Sequence, residues 1–259
     1  MTIIFDGRIS TVGGLPNGNV QQGQYLEAGS PNGITIVQDP KGCFGQVARM
    51  EYINGTPKWT QGWRCEASVL QPPVGVRRCY QNSVMLADGW DQTHPKTIIY
   101  QQHGVDLDAG WGRPPVMEIA ASGPANNAWI EVIHRADATV APSSMANAII
   151  TPFFEGRVDL TDWVTWTVDA IWMYDNTGYC WFYINGKKVA GFSGRMSCFN
   201  EAPDSGPFMK FGSYVQGGSA PPHSCATYHT GVLITDSLAD IAAVTGQIFD
   251  AGSPAPISA

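Results

Sequence analysis

The sequence predicts an all-β protein, a sandwich of antiparallel strands with one short helix near the C-terminus. Three observations carry this reading. Successive short runs alternate apolar and polar side chains, the period of a strand with one buried face. Twenty-nine glycines and eighteen prolines punctuate them, as turns between many short strands require. Asn185-Gly186 stands between two such runs, Tyr179 to Ile184 and Lys187 to Val189, and Asn-Gly in that setting is the strongest short-range hairpin signal.

Taken in order, residues 1–31 read as an edge strand followed by a loop, with turns at Pro16-Asn17-Gly18 and Pro31-Asn32-Gly33. Ile34 to Val37 forms a short strand ended by Asp39-Pro40-Lys41-Gly42, and Gln46 to Ile53 another, ended by Asn54-Gly55. In Trp63 to Val69, alternation turns Cys65, Ala67 and Val69 inward and Arg64, Glu66 and Ser68 outward. Tyr80 to Leu86 and Thr97 to His103 follow. In the latter, Gln101 and His103 share a face with Ile99, while Tyr100 and Gln102 point the other way. A Gly- and Asp-rich loop, Gly104 to Pro115, is expected to border a cleft. Val116 to Ile119 and Trp129 to His134 resume the sheet. Trp163 to Met173 is a long half-buried strand, its Val164, Trp166, Val168, Ala170 and Trp172 alternating with Thr165, Thr167 and Asp169. Phe208 to Gln216 sets Met209, Phe211, Ser213 and Val215 against Lys210, Gly212, Tyr214 and Gln216, with Gly212 expected to clear space for a ligand lying across the strand. Asp236 to Val244 is the helix, Asp236 its N-cap and Gly246 just past its end. Residues 252–259, rich in Ser, Pro and Ala, read as a loose tail. No linker interrupts the chain, so residues 1–259 read as a single domain.

The totals narrow the function. With 44% hydrophobic and only 14% charged residues, the chain has ample material for a core. A net charge of −7 offers no global attraction to nucleic acid or to an anionic membrane. No apolar run reaches the roughly 18 residues of a membrane span, which speaks against membrane insertion, and the N-terminus lacks the pattern of a secretory signal. The six cysteines lack CxxC spacing, so they read as buried free thiols rather than a zinc site.

Three strands far apart in sequence each offer polar residues on one face: Arg64 and Glu66; Gln101 and His103; Lys210, Tyr214 and Gln216. Separately they read as a surface ion pair, a structural strand-end histidine and a wetted strand face. Side by side they combine cations and an amide for binding a carboxylate with a His and a Tyr for moving protons. β-Elimination at a uronic acid needs that set. Neutralising the carboxylate stabilises the enolate-like intermediate, a base removes the C5 proton and an acid protonates the leaving oxygen. Neither a metal nor an organic cofactor is required. Glycoside hydrolysis would need two facing carboxyl groups, and no two of Glu66, Glu118 and Asp169 share a strand face. A serine nucleophile lacks its Gly-x-Ser-x-Gly setting.

Arg64-Cys65-Glu66, Gln101-Gln102-His103 and Phe208 to Tyr214 resemble the Arg-x-Glu, Gln-x-His and Phe-Lys-x-Gly-x-Tyr motifs of jelly-roll polysaccharide lyases, the alginate, glucuronan and heparin lyase I-like enzymes. Trp163 to Val189 also looks like the heparin lyase I-like branch. The resemblance runs in order over roughly residues 34–234. It implies a concanavalin A-like β-jelly roll of two curved antiparallel sheets, acting on an anionic polysaccharide outside the cell or on a surface. It further implies that His103 and Tyr214 are base and acid, that Arg64 and Gln101 neutralise the uronate carboxylate with Lys210 assisting, and that Glu66 orients Arg64. Gln216 is expected to touch substrate from the same face. Ser68 stands where alginate lyases of this type usually carry a second Arg, which argues against alginate. The alternative is a carbohydrate-binding or structural jelly roll, such as a surface or virion-associated module, that lacks turnover.

Overall fold

The alternating runs become strands that pair into two sheets. The computed structural model describes residues 1–12, 25–28, 33–53, 62–69, 73–87, 89–104, 115–136, 149–173, 175–196, 206–216, 224–250 and 257–258. From the N-terminus, β1 (Ile3–Asp6) and a short helix α1 (Ile9–Val12) precede β2 (Tyr25–Ala28), β3 (Ile34–Gln38), β4 (Gln46–Tyr52) and β5 (Gly62–Val69). Then come β6 (Arg77–Leu86), β7 (Thr97–His103), β8 (Pro115–Ser122), β9 (Ala128–Ala136) and β10 (Ile149–Val158). The remainder carries β11 (Val164–Ile171), β12 (Gly178–Ile184), β13 (Lys187–Gly194), β14 (Phe208–Gln216), β15 (Cys225–His229), β16 (Leu233–Thr235), the helix α2 (Leu238–Thr245) and β17 (Ile257–Ser258).

One sheet runs β17-β13-β12-β11-β6-β15-β4-β3, with β16 also on β6 and β1 on β16; the other runs β10-β9-β8-β7-β14-β5-β2. The core lies between them. Cys65, Ala67 and Val69 of β5, Met209 and Phe211 of β14, Tyr100 of β7 and Met117 of β8 join Tyr80, Trp166, Val168, Phe182 and Phe192 from the other sheet in one cluster. A buried Phe alone contributes about 2 kcal/mol. This is the two-sheet β-jelly roll that the sequence implies. The β12–β13 hairpin turns on Asn185 (φ 50°) and Gly186 (φ 81°), the two left-handed positions of a type I′ turn. Four of the five described cysteines, Cys65, Cys79, Cys180 and Cys225, are buried and free, and Cys43 is exposed; Cys198 lies outside the described residues. Among the described residues no helix is long and apolar enough to cross a membrane.

Several expectations change. Ser237, not Asp236, caps α2: its hydroxyl accepts from the Asp240 N–H at 3.2 Å and donates to Asp240 Oδ2 at 2.9 Å, an N-cap whose hydroxyl is itself held by the first-turn carboxylate. Asp236 instead accepts from Arg78 Nη1 at 2.6 Å. Gly246 ends the helix in the left-handed conformation (φ 72°), as expected. The segment read as a loose tail places Ile257 and Ser258 beside Phe192 and Ser193, parallel to β13. The opening segment supplies an edge strand to each sheet rather than one, β1 on β16 and β2 on β5. Its two turns fall outside the described residues, apart from Gly33, and so does the loop Gly104 to Pro115 between its end residues.

Candidate active site

The order β8-β7-β14-β5 puts the three polar strands next to one another. On β14, Lys210 stands opposite Ser68 of β5 on one side and Gln101 of β7 on the other, and Gln101 stands opposite Glu118 of β8. Directly opposed residues share a face, so Ser68, Lys210, Gln101 and Glu118 form one row across four strands spaced ~4.8 Å apart. Their neighbours Ala67, Phe211 and Met117 face the core. The row therefore lies on the outer face of the seven-stranded sheet.

These side chains are shielded from water although they point away from the core: Glu66 and Gln101 are 1% exposed, Lys210 3%. In such surroundings charges act on one another with less screening, and an unmet polar atom is costly. Gln101 Nε2 donates to Glu66 Oε1 at 2.5 Å. That bond fixes the amide and leaves its second N–H for a ligand, while Gln101 Oε1 has no partner among the described residues. Lys210 Nζ lies 5.3 Å from the centre of the Phe208 ring. The half-buried His103 packs against the same ring, centroids 5.1 Å apart, and its Nδ1 sits 2.8 Å from the carbonyl oxygen of Gly104. A carbonyl only accepts, so Nδ1 carries the proton and the basic lone pair of the neutral ring is on Nε2.

The same face holds a pair that the sequence reading passed over. Arg135 Nη1 donates to Glu118 Oε2 at 2.7 Å and to Pro115 O at 3.3 Å, both charged residues being buried. Glu118 was visible as a polar residue between inward Met117 and Ile119. Arg135 was not, because the strand expected to stop at His134 runs on to Ala136. Glu66 and Glu118 thus face the same side of one sheet, although no single strand face holds two of the carboxylates. Each is engaged, Glu66 by Gln101 and Glu118 by Arg135, and Asp169 lies in the other sheet, held by Arg77 at 2.7 Å.

Register shifts in β7 and β14 bear on the expected faces and on the role of Gly212. On β7 the register against β8 shifts between Ile98 and Tyr100. Ile99 therefore joins Tyr100 in the core, and Ile98 takes the outer face with Tyr214 and Ala120. On β14 the register against β7 shifts between Phe211 and Tyr214, at Gly212 (φ 143°). A Cβ there would fall 2.2 Å from Cys65 O and 2.8 Å from Glu66 Cα. Gly212 is thus required by the close approach of β5, not by a ligand crossing the strand.

Tyr214 and His103 are not brought together. His103 stands opposite Phe208, whereas Tyr214 stands opposite Ile98 and Arg64. Five residues along β7 separate those two positions, roughly 16 Å at strand spacing. The Tyr214 ring packs on Ile98 and Ala120 and the His103 ring on Phe208. Arg64 and Gln216 keep the strand positions expected of them, opposite Tyr214 and Gly62; their side chains lie outside the described residues. The described partner of Glu66 is Gln101. Among the described residues no three His, Cys, Asp or Glu side chains converge as metal ligands do.

A family model described as "Polysaccharide lyase" matches residues 15–232. No curated protein matches the chain. Among solved structures, the endo-β-1,4-glucuronan lyase of the fungus Trichoderma reesei is similar, with a TM-score of 0.69, 17% identity, and 93% of this chain and 98% of that one covered. An alginate lyase from Klebsiella pneumoniae has a TM-score of 0.52 at 11% identity, covering 81% and 87%. A marine alginate lyase from Aplysia kurodai has 0.51 at 12% identity, covering 91% and 97%. At these identities the likeness is one of fold.

Proposed function

We propose that this chain, which belongs to the polysaccharide lyase family, cleaves a uronic-acid-containing polysaccharide by β-elimination without a metal. The observation that carries the reading is the buried Lys210–Gln101 row beside a histidine whose tautomer is set. The substrate carboxylate lies on the Lys210 ammonium and the second N–H of Gln101, with Glu66 holding the amide in place. That neutralisation lets negative charge build on the carboxylate as the C5–H bond breaks. His103 Nε2 takes the proton, the C5–H electron pair becomes the C4–C5 double bond, and the C4–O bond breaks. The imidazolium so formed returns its proton to the departing oxygen. His103 serves as base and acid in turn.

Tyr214, several sugar units away with Arg64 and Gln216 near it in register, holds the polymer. Such a polymer is met outside the cell or on a surface. A β-1,4-glucuronan is the first substrate to try, given the fungal glucuronan lyase among the similar folds and Ser68 in place of the arginine that alginate lyases carry. The test is to incubate the protein with glucuronan, alginate, heparin, hyaluronan and pectate and follow the ultraviolet absorbance of the new C4–C5 double bond, with and without a chelator. Chelator-resistant absorbance on a uronan is the expected result. A flat trace from folded protein would replace this reading with the non-catalytic binding module, and saturated products would point to a hydrolase.

A further inference from the structure

The other face of β9 carries a second, unrelated feature. Ile133 and Arg135 face outward, so His134 between them points between the sheets, where it is 1% exposed. The Met196 backbone is the one hydrogen-bonding group that meets its ring among the described residues. Burial pulls its pKa down to about 4, only partly offset by the Met196 backbone, so the ring is neutral at pH 7. His134 lines a cavity of about 210 Å³ at the side of the sandwich. Thr151, directly opposite on β10, lines it too, and Phe192 of β13 packs against the imidazole with ring centres 4.3 Å apart. Ile149, Asn176 and Arg195 complete the lining. Arg195 follows the last residue of β13, and its Nε is buried without a partner among the described residues. Asp175, whose carboxyl is held below its usual range by the Thr177 hydroxyl and backbone N–H and, more weakly, by the Arg195 charge, lies nearby.

The space opens to solvent on one side and its walls are largely apolar, so an apolar body gains by displacing water from it. We propose that the cavity binds a small carboxylate with a flat apolar body and a hydroxyl group. The Arg195 guanidinium takes the carboxylate, as its planar fork suits. The body lies against Phe192 and Ile149, and the hydroxyl donates to the ring nitrogen of His134 that the Met196 backbone leaves as an acceptor. The site lies on the opposite face of the sheet from Lys210 and Gln101, so it stands or falls independently of the lyase reading.

The probe is 4-hydroxybenzoate, titrated calorimetrically into the full chain, with 4-hydroxybenzyl alcohol as the uncharged analogue and benzoate as the analogue without the hydroxyl. Saturable one-to-one binding of 4-hydroxybenzoate in the millimolar range or tighter is expected. The alcohol should bind about tenfold more weakly, the equivalent of one charge-assisted contact. Arg195→Met, at a half-exposed position outside the strand pairings, should fold normally by thermal melting and lose about tenfold for 4-hydroxybenzoate. His134→Phe, which keeps a ring and removes the nitrogens, should erase the advantage of 4-hydroxybenzoate over benzoate. Absence of saturable heat up to about 10 mM, equal binding of acid and alcohol, or unchanged binding in folded Arg195→Met would each overturn the assignment.

Discussion

Replacing His103 and Tyr214 in turn separates a reading of the site by geometry from a reading by motif. Near-attack geometry needs the base within about 3.5 Å of its proton, yet the two side chains root at positions roughly 16 Å apart along β7, and each packs locally, His103 on Phe208 and Tyr214 on Ile98 and Ala120. On that spacing His103 and Tyr214 are expected not to serve one C4–C5 bond together. His103→Gln keeps a polar side chain and removes the basic nitrogen, so kcat on the susceptible uronan should fall by about 10²–10⁴, the usual worth of a positioned general base, with KM little changed. Tyr214→Phe removes one hydroxyl and keeps the ring packing. A single hydrogen bond nets about 0.5–1.5 kcal/mol, so kcat/KM should fall by no more than about tenfold, mainly through KM. The assay is the initial rate of absorbance from the unsaturated product across a range of polymer concentrations, with thermal melting to verify that both variants fold. Loss of kcat in Tyr214→Phe comparable to that in His103→Gln would refute the reasoning.

Other consequences concern the scaffold. Gly212→Ala should destabilise the protein by several kcal/mol or prevent soluble expression, because its Cβ meets the Cys65 carbonyl at 2.2 Å in a conformation that residues with side chains rarely adopt; a melting temperature within a few degrees of the parent would contradict this. Ser237→Ala should cost about 1 kcal/mol through loss of the α2 cap, while Asp236→Ala, which removes only a partly exposed ion pair with Arg78, should cost less; urea titration of the two variants checks the order. Acid should destabilise the fold before the carboxylates titrate. Burial lowers the pKa of His229 to about 3 and of His134 to about 4, from an ordinary 6.5. Above pH 6.5 both are neutral whether folded or unfolded, and nothing is lost. Below it the unfolded chain takes up protons that the folded chain refuses, so stability falls by up to about 1.4 kcal/mol per pH unit for each histidine. Between pH 6.5 and 4 that amounts to roughly 3 kcal/mol each. Denaturant midpoints across that range should show the decline, and His229→Gln should flatten it; a pH-independent midpoint would contradict the assignment.

What the sequence shows and what it hides follow from the range of the forces involved. Alternation is a local signal, and it works where one strand face meets the core and the other is polar. Cys65, Ala67 and Val69 were readable as inward for that reason, as were Val164, Trp166 and Val168. The signal vanishes where both faces are covered. β15 sits between β4 and β6 with Cys225, Ala226, Thr227 and His229 all buried, and such a strand has no polar phase to detect. It is also disguised in β10, an edge strand that tolerates Pro152 at a register shift. A bulge reverses the phase without announcing itself, which is why Ile99 was misread.

The site shows the same division. That Glu66, Gln101, His103, Lys210 and Tyr214 would share a face follows from parity within each strand. How far apart they stand along that face depends on which residue of β7 meets which residue of β14. That register is set by core packing between segments about a hundred residues apart, and no local pattern encodes it. A motif therefore names a set of residues without naming the distances between them. Here the pairing of Lys210 with Gln101 divides the set: it gathers the ammonium, the amide and the imidazole toward one end of the strands and leaves the phenol toward the other. The elimination proposed for this face is therefore written for the end that holds the imidazole.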